Sequence, residues 1–470
     1  MQVLLMSHTP IPSESTSAST PSYMKQFFLL WTGQILSLLG SEVVGFAITW
    51  YITDTTKSVL YLSLMMLLTF VPRLLLAPIA GAWADKHNRK IILAISDALQ
   101  AFSTIVLIGL IAFAPMNIWI IIGFNTLRAV FQAIHGPAYM AVMPQMVPKS
   151  KLSNVNGLNQ LFQSLTGLAA PVLGALLYGA YGLGRTLWID VITFVIAFSL
   201  LLMTKIPPLP QAVKKSLSVD SASLSKDGQT EDPQKESLMD SIKVGIKTIR
   251  NIPGLLALIT IMAMANLLLT PFNTLTPYII NVVHSGTEKD IALLSVGFQL
   301  GLILGSIAVS LKKEWKRKTL MVTFGLASVW LGTILFALAP QGNFTWLVVS
   351  GFIITFLLPI ATTLIITMFQ SSIPLEKMGR VSSLFSMLNS AGMLIGYMVS
   401  GPLANLLGIT ELIIGAGIIG LVFTLYMFFF SGMKHMNHIE EEAGSDSKRD
   451  IEFSEILHQT HSESSENAVV

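Results

Sequence analysis

The sequence predicts an all-α polytopic membrane protein, with twelve transmembrane helices in two six-helix bundles. Three observations predict it. First, 52% of the 470 residues are hydrophobic and 12% are charged, with a mean hydropathy of +0.67. Soluble domains carry about 25% charged residues. An ordinary soluble enzyme, a disordered chain, a nucleic-acid binder and a coiled coil are therefore excluded as the main architecture. Second, apolar runs long enough to cross a bilayer as a helix, about 20 residues, recur twelve times. They lie near 25–51, 59–82, 91–114, 117–141, 154–179, 184–206, 254–283, 290–311, 319–340, 344–370, 380–408 and 410–432. Third, the two halves repeat. Residues 143–162 align without gaps on 369–388, an offset of 226 that pairs Pro148 with Pro374, Lys151 with Lys377, Val155 with Val381 and Gly182 with Gly408. A parallel six-plus-six repeat is a plan used by secondary transporters, with the substrate site between the halves.

Residues 1–24 are polar and rich in Ser, Thr and Pro, which predicts a disordered cytoplasmic tail with no cleavable leader. Residues 25–206 form the first bundle. Its internal prolines, such as Pro72, Pro78, Pro137 and Pro171, are tolerated because neighbouring helices satisfy the freed backbone. Residues 207–253 are charged and Ser-rich, a cytoplasmic linker. Within it, 237–250 places apolar residues at helical spacing between lysines, the pattern of a surface-lying amphipathic helix. Residues 254–432 form the second bundle, and 433–470 an acidic, disordered cytoplasmic tail. With the N-terminus inside, the inner loops hold twelve Lys and Arg against three outside, Lys57, Arg185 and Lys289. That bias puts both termini in the cytoplasm.

Charges within the spans are costly, at least about 2.5–3.5 kcal/mol each at the bilayer centre. Glu42, Arg73, Asp97, Arg128 and Asp190 lie there, with His135, and all belong to the first half. The second half offers only neutral polar groups such as Asn266, Asn273, Gln299 and Asn389. Structural ion pairs would be spread more evenly. At 1.5 Å per residue, Glu42 and Arg128 lie roughly 13 and 16 Å from the outer end, a shared level near mid-membrane. They are expected to meet or to face one substrate. Asp97 and Arg73, roughly 10 and 12 Å from the inner end, form a second expected pair that His135 can join. Asp190 reads as a helix-end residue near the outer surface. A carboxyl such as Glu42 can be tuned between burial, which favours its proton, and a nearby cation, which expels it. It can thus exchange a proton for a cationic substrate.

The loop GAWADKHNRK (81–90) resembles the signature loop of the major facilitator superfamily. The resemblance implies that Gly81 permits close packing, that Asp85 meets a helix N-terminus in the other half, and that Arg89 and Lys90 latch the cytoplasmic gate. The second-half counterpart, 311–318, keeps basic residues but has Lys313 in place of the acid. GLAAPVLGALL (167–177) resembles the family's antiporter motif through Gly167, Ala170, Pro171 and Gly174. Stripes at Gly297, Gly301 and Gly305 and at Gly392, Gly396 and Ser400 suit an interface along which two halves rock, or static packing. Within the superfamily, the stretches 30–53, 70–90, 127–148, 187–197 and 379–396 resemble the macrolide-efflux branch of drug–proton antiporters.

The resemblance implies proton-coupled export of small amphipathic, macrolide-like compounds across the cytoplasmic membrane, by a monomer, with small molecule, protons and bilayer as its partners and no nucleic acid. Export of a siderophore-like metabolite, lysophospholipid transport and a non-transporting receptor are the alternatives. No cofactor and no enzymatic activity are expected: there is no cysteine, no phosphate-binding G-x-x-x-x-G-K-[ST] loop, and no H-E-x-x-H or G-x-S-x-G. No metal site is expected, since the H-x-x-H pair His435 and His438 lies in a tail.

Overall fold

The computed structural model describes residues 21–113, 117–206, 238–312, 315 and 317–431. Most of both expected tails, the linker up to residue 237 and Lys313 lie outside the described residues. The first half comprises α1 (Pro21–Thr56), α2 (Val59–Lys86), α3 (Arg89–Phe113), α4 (Ile118–Met146), α5 (Leu152–Thr186) and α6 (Trp188–Met203). A surface helix α7 (Leu238–Asn251) follows. The second half comprises α8 (Leu255–Tyr278), α9 (Glu288–Leu311), α10 (Lys318–Ala337), α11 (Phe344–Ser372), α12 (Leu375–Leu407) and α13 (Ile409–Phe430). No strand occurs among the described residues.

Eleven of these helices are long and apolar enough to cross a membrane, and α6, at 16 residues, is shorter. The reason is local. The backbone breaks at Gly182 (φ 71°), inside α5, and turns helical again before α6 begins. Leu187 between them keeps helical angles, so the sixth crossing starts at residue 183. Gly408, 226 residues later, makes the same break between α12 and α13 with φ 95°. Only glycine enters this region of backbone space without steric cost. The repeat therefore survives at single-residue detail. Both bounds of α4 recur in α11 with the same offset of 226, as do their N-caps: Asn117 accepts from the Trp119 N–H and Asn343 from the Trp346 N–H.

Small residues set the closest helix approaches, as expected where lipid offers no hydrophobic drive between helices. The Gly297, Gly301 and Gly305 stripe meets α11, and Gly392 and Gly396 meet α8. Both contacts lie inside the second half, so these stripes serve packing within one bundle and are not a surface along which the halves slide. A Cβ on Gly305 would clash with the Phe356 carbonyl oxygen, whereas one on Gly123 meets nothing within 4 Å. Gly305→Ala is therefore expected to destabilise the protein by about 1–3 kcal/mol. Gly123→Ala should be neutral or slightly stabilising. Thermal unfolding in detergent checks both.

The halves join through α2 against α12 and α5 against α9. One face of the molecule carries the Lys- and Arg-rich loops around residues 86–90, 149–151, 312, 317–318 and 377–380, the basic face. Towards the opposite, far face, one apolar core runs through both halves, from Trp50, Ile52 and Leu62 to Phe272, Leu275 and Phe336. Towards the basic face the core splits. One cluster, around Phe27, Leu93 and Val142, belongs to the first half. Two others, around Leu258 and Leu364 and around Leu255 and Val381, belong to the second. The molecule is closed at the far face and open at the basic face.

Polar contacts close the far face. Lys57, with a left-handed backbone (φ 45°), reaches from the end of α1 to Asn281 across the halves. Asn281 donates to the Asp54 carboxylate at 3.1 Å. It sits in the π-helical turn Ile279–Val283 that ends α8. Just beyond, the Gly342 N–H donates to His284 Nδ1 at 3.2 Å, and burial holds that imidazole below its ordinary pKa. Near the far ends Ser63 of α2 meets Gly401, and Gly179 of α5 meets Glu288.

Candidate substrate cavity

A cavity of about 650 Å³ lies between the halves and is lined almost wholly by the first, with Pro277 and Tyr397 as the second half's contributions. Glu42 of α1 and Arg73 of α2 are exposed residues on its wall, and buried Arg128 of α4 also lines it. Glu42 and Arg128 thus share a cavity, as their depths predicted, but they do not pair. Arg128 instead lies 3.1 Å from Asp190, and both side chains are less than a tenth exposed. Asp190 also accepts from Ser41 Oγ at 2.8 Å and Thr104 Oγ1 at 2.7 Å. It lies in the first turn of α6, as a helix-end residue should, but it is buried among Arg128, Ser41 and Thr104, so the expected outer-surface position is corrected. With Asp190 taken up by Arg128, no hydrogen bond or ion pair engages Glu42 among the described residues.

The second expected pair is also redrawn. Asp97 is 4% exposed and does not meet Arg73. Its Oδ2 accepts from Gln34 Nε2 at 3.2 Å, and its Oδ1 lies 3.2 Å from His135 Nε2. Arg73 donates to Gln132 Oε1. Depth along a helix does not settle rotation about its axis. Asp97 faces α1 and α4, while Arg73 faces the cavity beside Phe70, whose ring packs 5.3 Å from that of Tyr397. The sequence reading missed Gln34, Ser41, Thr104 and Gln132. A signal was present: Gln34 and Ser41, Asp97 and Thr104, and Arg128 and His135 are each seven residues apart. Seven residues are two helical turns, roughly 10 Å, so three helices build two stacked polar layers.

The signature-loop residues sit at the open end. Gly81 faces open space, Arg89 is buried, and the side chain of Asp85 lies outside the described residues. Lys90 donates to the carbonyls of Leu202 and Thr204 at 3.0 and 2.7 Å. It thereby caps α6 within its own half, where a cation suits the helix C-terminus. In the antiporter-like motif, Ala170 and Pro171 line the cavity, Gly174 packs on Val43 and Phe46 of α1, and Gly167 meets Gln299 of α9. At the repeat positions of Glu42, Arg73, Asp97, Arg128, His135 and Asp190, the second half has Leu268, Gln299, Thr323, Ile354, Ala361 and Ala416. The scaffold is duplicated and the charges are not. Among the described residues no group of three or more His, Asp or Glu side chains is arranged to hold a metal ion.

Comparison with known proteins agrees with this architecture. The chain is 28% identical over 386 residues to macrolide efflux protein A of Streptococcus pyogenes, covering 82% of this chain and 91% of that protein. It is 26% identical over 189 residues to the staphyloferrin A transporter of Staphylococcus aureus, covering 39% of this chain and 47% of that one. Among solved structures, a bacterial homologue of the human lysosomal transporter Spinster, in an inward-facing and unoccupied conformation, superposes with a TM-score of 0.62 at 14% identity, over 90% of this chain and 98% of that one. The family model of the Major Facilitator Superfamily matches residues 30–397. Two six-helix repeats closing on a cavity between them, and a family match that runs from the first span to the eleventh, carry one conclusion: this chain is a multi-pass membrane transporter of the Major Facilitator Superfamily.

Proposed function

We propose that the protein exports small amphipathic cations across the cytoplasmic membrane in exchange for protons, with the basic face and both termini in the cytoplasm. The observation that carries this reading is Glu42. Of the three acids deep in the spans, Asp190 has Arg128 and Asp97 has His135, while Glu42 lines the cavity with no partner among the described residues. A carboxylate held near mid-membrane must be neutralised before the cavity can be dried and turned. A proton does this, and so does a cationic substrate. Either occupant permits turnover and the two compete, which is antiport at one group. Leu38, Phe46, Met65 and Phe70 supply an apolar wall for the rest of the molecule, and methionine adapts to varied shapes. The efflux relatives fit this substrate class. The test is counterflow in proteoliposomes against a panel of cationic amphipathic compounds, macrolides included, with and without an imposed pH gradient. Gradient-stimulated movement of some compounds is expected. Movement of none, or movement indifferent to the gradient, would overturn the reading.

Alternation also requires the far face to open. Lys57 and Asp54 are about half exposed, so their clasp is weak, in the range of about 0–1 kcal/mol per pair. Lys57→Ala combined with Asn281→Ala is expected to raise the far-face-open population about two- to fivefold. The chain has no cysteine, so paired introduced cysteines carrying spin labels report this distance cleanly.

A second reading is export of an acidic metabolite such as a siderophore. The exposed Arg73, which no carboxylate pairs among the described residues, and the similarity to the staphyloferrin A transporter favour it. Arg73→Gln would then impair transport more than Glu42→Gln, and the opposite order supports the cation reading.

A further inference from the structure

Asp97 and Asp190 are both buried acids, neutralised by different means. The partner of Asp190 is a guanidinium, which keeps its charge at every accessible pH. The partner of Asp97 is an imidazole, a base that can hold or release a proton. Asp97 is therefore compensated only while the pair holds a proton. We propose that Asp97 and His135 form a second proton-binding site, separate from Glu42, whose occupancy sets how readily the opening at the basic face closes. The inference rests on the alternating-access reading above and adds a site to it.

The geometry supports this role. Oδ1 and Nε2 are 3.2 Å apart, a close contact without hydrogen-bond geometry, and among the described residues that buried nitrogen has no hydrogen-bond partner. Gln34 holds the other carboxylate oxygen from α1. Tyr139 stacks on the imidazole one turn further along α4, with rings 13° from parallel. Asp97 is almost fully enclosed, but 17% of the His135 side chain is exposed, and the adjacent Gly136 faces open space. His135 is thus the partly exposed member of the pair, while its Nε2 and the Asp97 carboxylate are enclosed. The other charges facing it are Asp190 from α6, Arg128 two turns away on α4, and Arg73 from α2 through Gln132. At this level α5 offers amides such as Asn159 and Gln163, with no acid or base.

A proton taken from water at the basic face sits between Oδ1 and Nε2 and makes the pair neutral overall. Without it the pair is one buried negative charge, tolerable while water reaches His135 and costly once the face closes over it. Proton binding therefore favours the closed basic face, and the closed basic face favours proton binding, by reciprocal linkage.

The test uses the full-length transporter in nanodiscs, spin-labelled at His87→Cys and Lys377→Cys, two exposed positions on opposite halves of the basic face. The fraction with a short inter-label distance is expected to rise at least about threefold from roughly pH 8 to roughly pH 5, across the range where imidazole titrates. Asp97→Asn, which removes the buried acid and leaves His135 without its counter-charge, is expected to lose most of the response in this range. His135→Gln, which leaves Asp97 without its base, is expected to lose the response in this range. Glu42→Gln is expected to keep it. A response that survives both Asp97→Asn and His135→Gln but disappears in Glu42→Gln overturns the proposal, as does a parent distance that ignores pH. If a variant does not fold, the imidazole NMR signal of His135 in the parent decides. A signal that shifts with pH alongside the distance supports the site, and a constant one overturns it. Failure of the antiport reading appears instead in the counterflow assay, where substrate moves without regard to the gradient.

Discussion

Glu42→Gln is expected to reduce pH-gradient-driven export at least about tenfold while leaving gradient-free exchange of bound substrate measurable. Glutamine keeps the size of the side chain and removes its charge, so position 42 becomes fixed in the state that a proton would otherwise create. The cavity can still be dried and turned, because no charge remains to oppose it. Proton and substrate no longer compete, so the gradient has nothing to act on. A cationic substrate should also bind more weakly, since its counter-charge is gone. Glu42→Asp retains an ionisable group but withdraws it by one methylene, and intermediate coupling is expected. Uptake into everted vesicles at a series of imposed gradients gives the comparison. Gradient-driven export at the parental rate in Glu42→Gln would remove this residue from coupling.

Charge within the spans is confined to one half. At the six repeat positions the second half carries Leu268, Gln299, Thr323, Ile354, Ala361 and Ala416. It supplies Tyr397 and Pro277 to the cavity.

Much of this was legible in the sequence. The offset of 226 residues, visible in a twenty-residue loop alignment, holds through the bounds of α4 and α11, the Asn caps and the two glycine breaks. Hydropathy carries that information because every residue in a span reports whether lipid or protein surrounds it. The pairing of charges was not legible. Counting residues placed Glu42 level with Arg128 and Asp97 level with Arg73, but depth is one coordinate, and rotation about each helix axis depends on packing. Asp190 was misjudged for a related reason. Its place near the start of the sixth run does not say which way the side chain faces, and packing turns it onto Arg128, Ser41 and Thr104. The seven-residue recurrence of polar positions on α1, α3 and α4 was the available clue, because polar groups two turns apart share a face.

Arg128→Ala should be the most destabilising substitution in the first half. It leaves the Asp190 carboxylate buried with only the Ser41 and Thr104 hydroxyls as donors. Removing one member of a buried pair costs about 3–5 kcal/mol, because the other charge is left uncompensated. Asp190→Ala should cost a similar amount for the opposite reason, stranding a guanidinium. Its Nε already has no partner among the described residues. Replacing both, Arg128→Met with Asp190→Leu, removes the two desolvation penalties together and should recover most of the loss. Thermal unfolding of the three variants in detergent forms a cycle, and the pair contributes as argued only if the double variant is clearly more stable than either single one. The cycle also separates two roles that a single substitution confuses. Arg128 lines the cavity, so loss of transport in Arg128→Ala could follow from a failing fold or from a missing contact to substrate. If the stable double variant still exports its substrate, Arg128 is a clamp between α4 and α6. If it is stable and inactive, the guanidinium touches the transported molecule, and the acidic-metabolite reading gains the residue it needs.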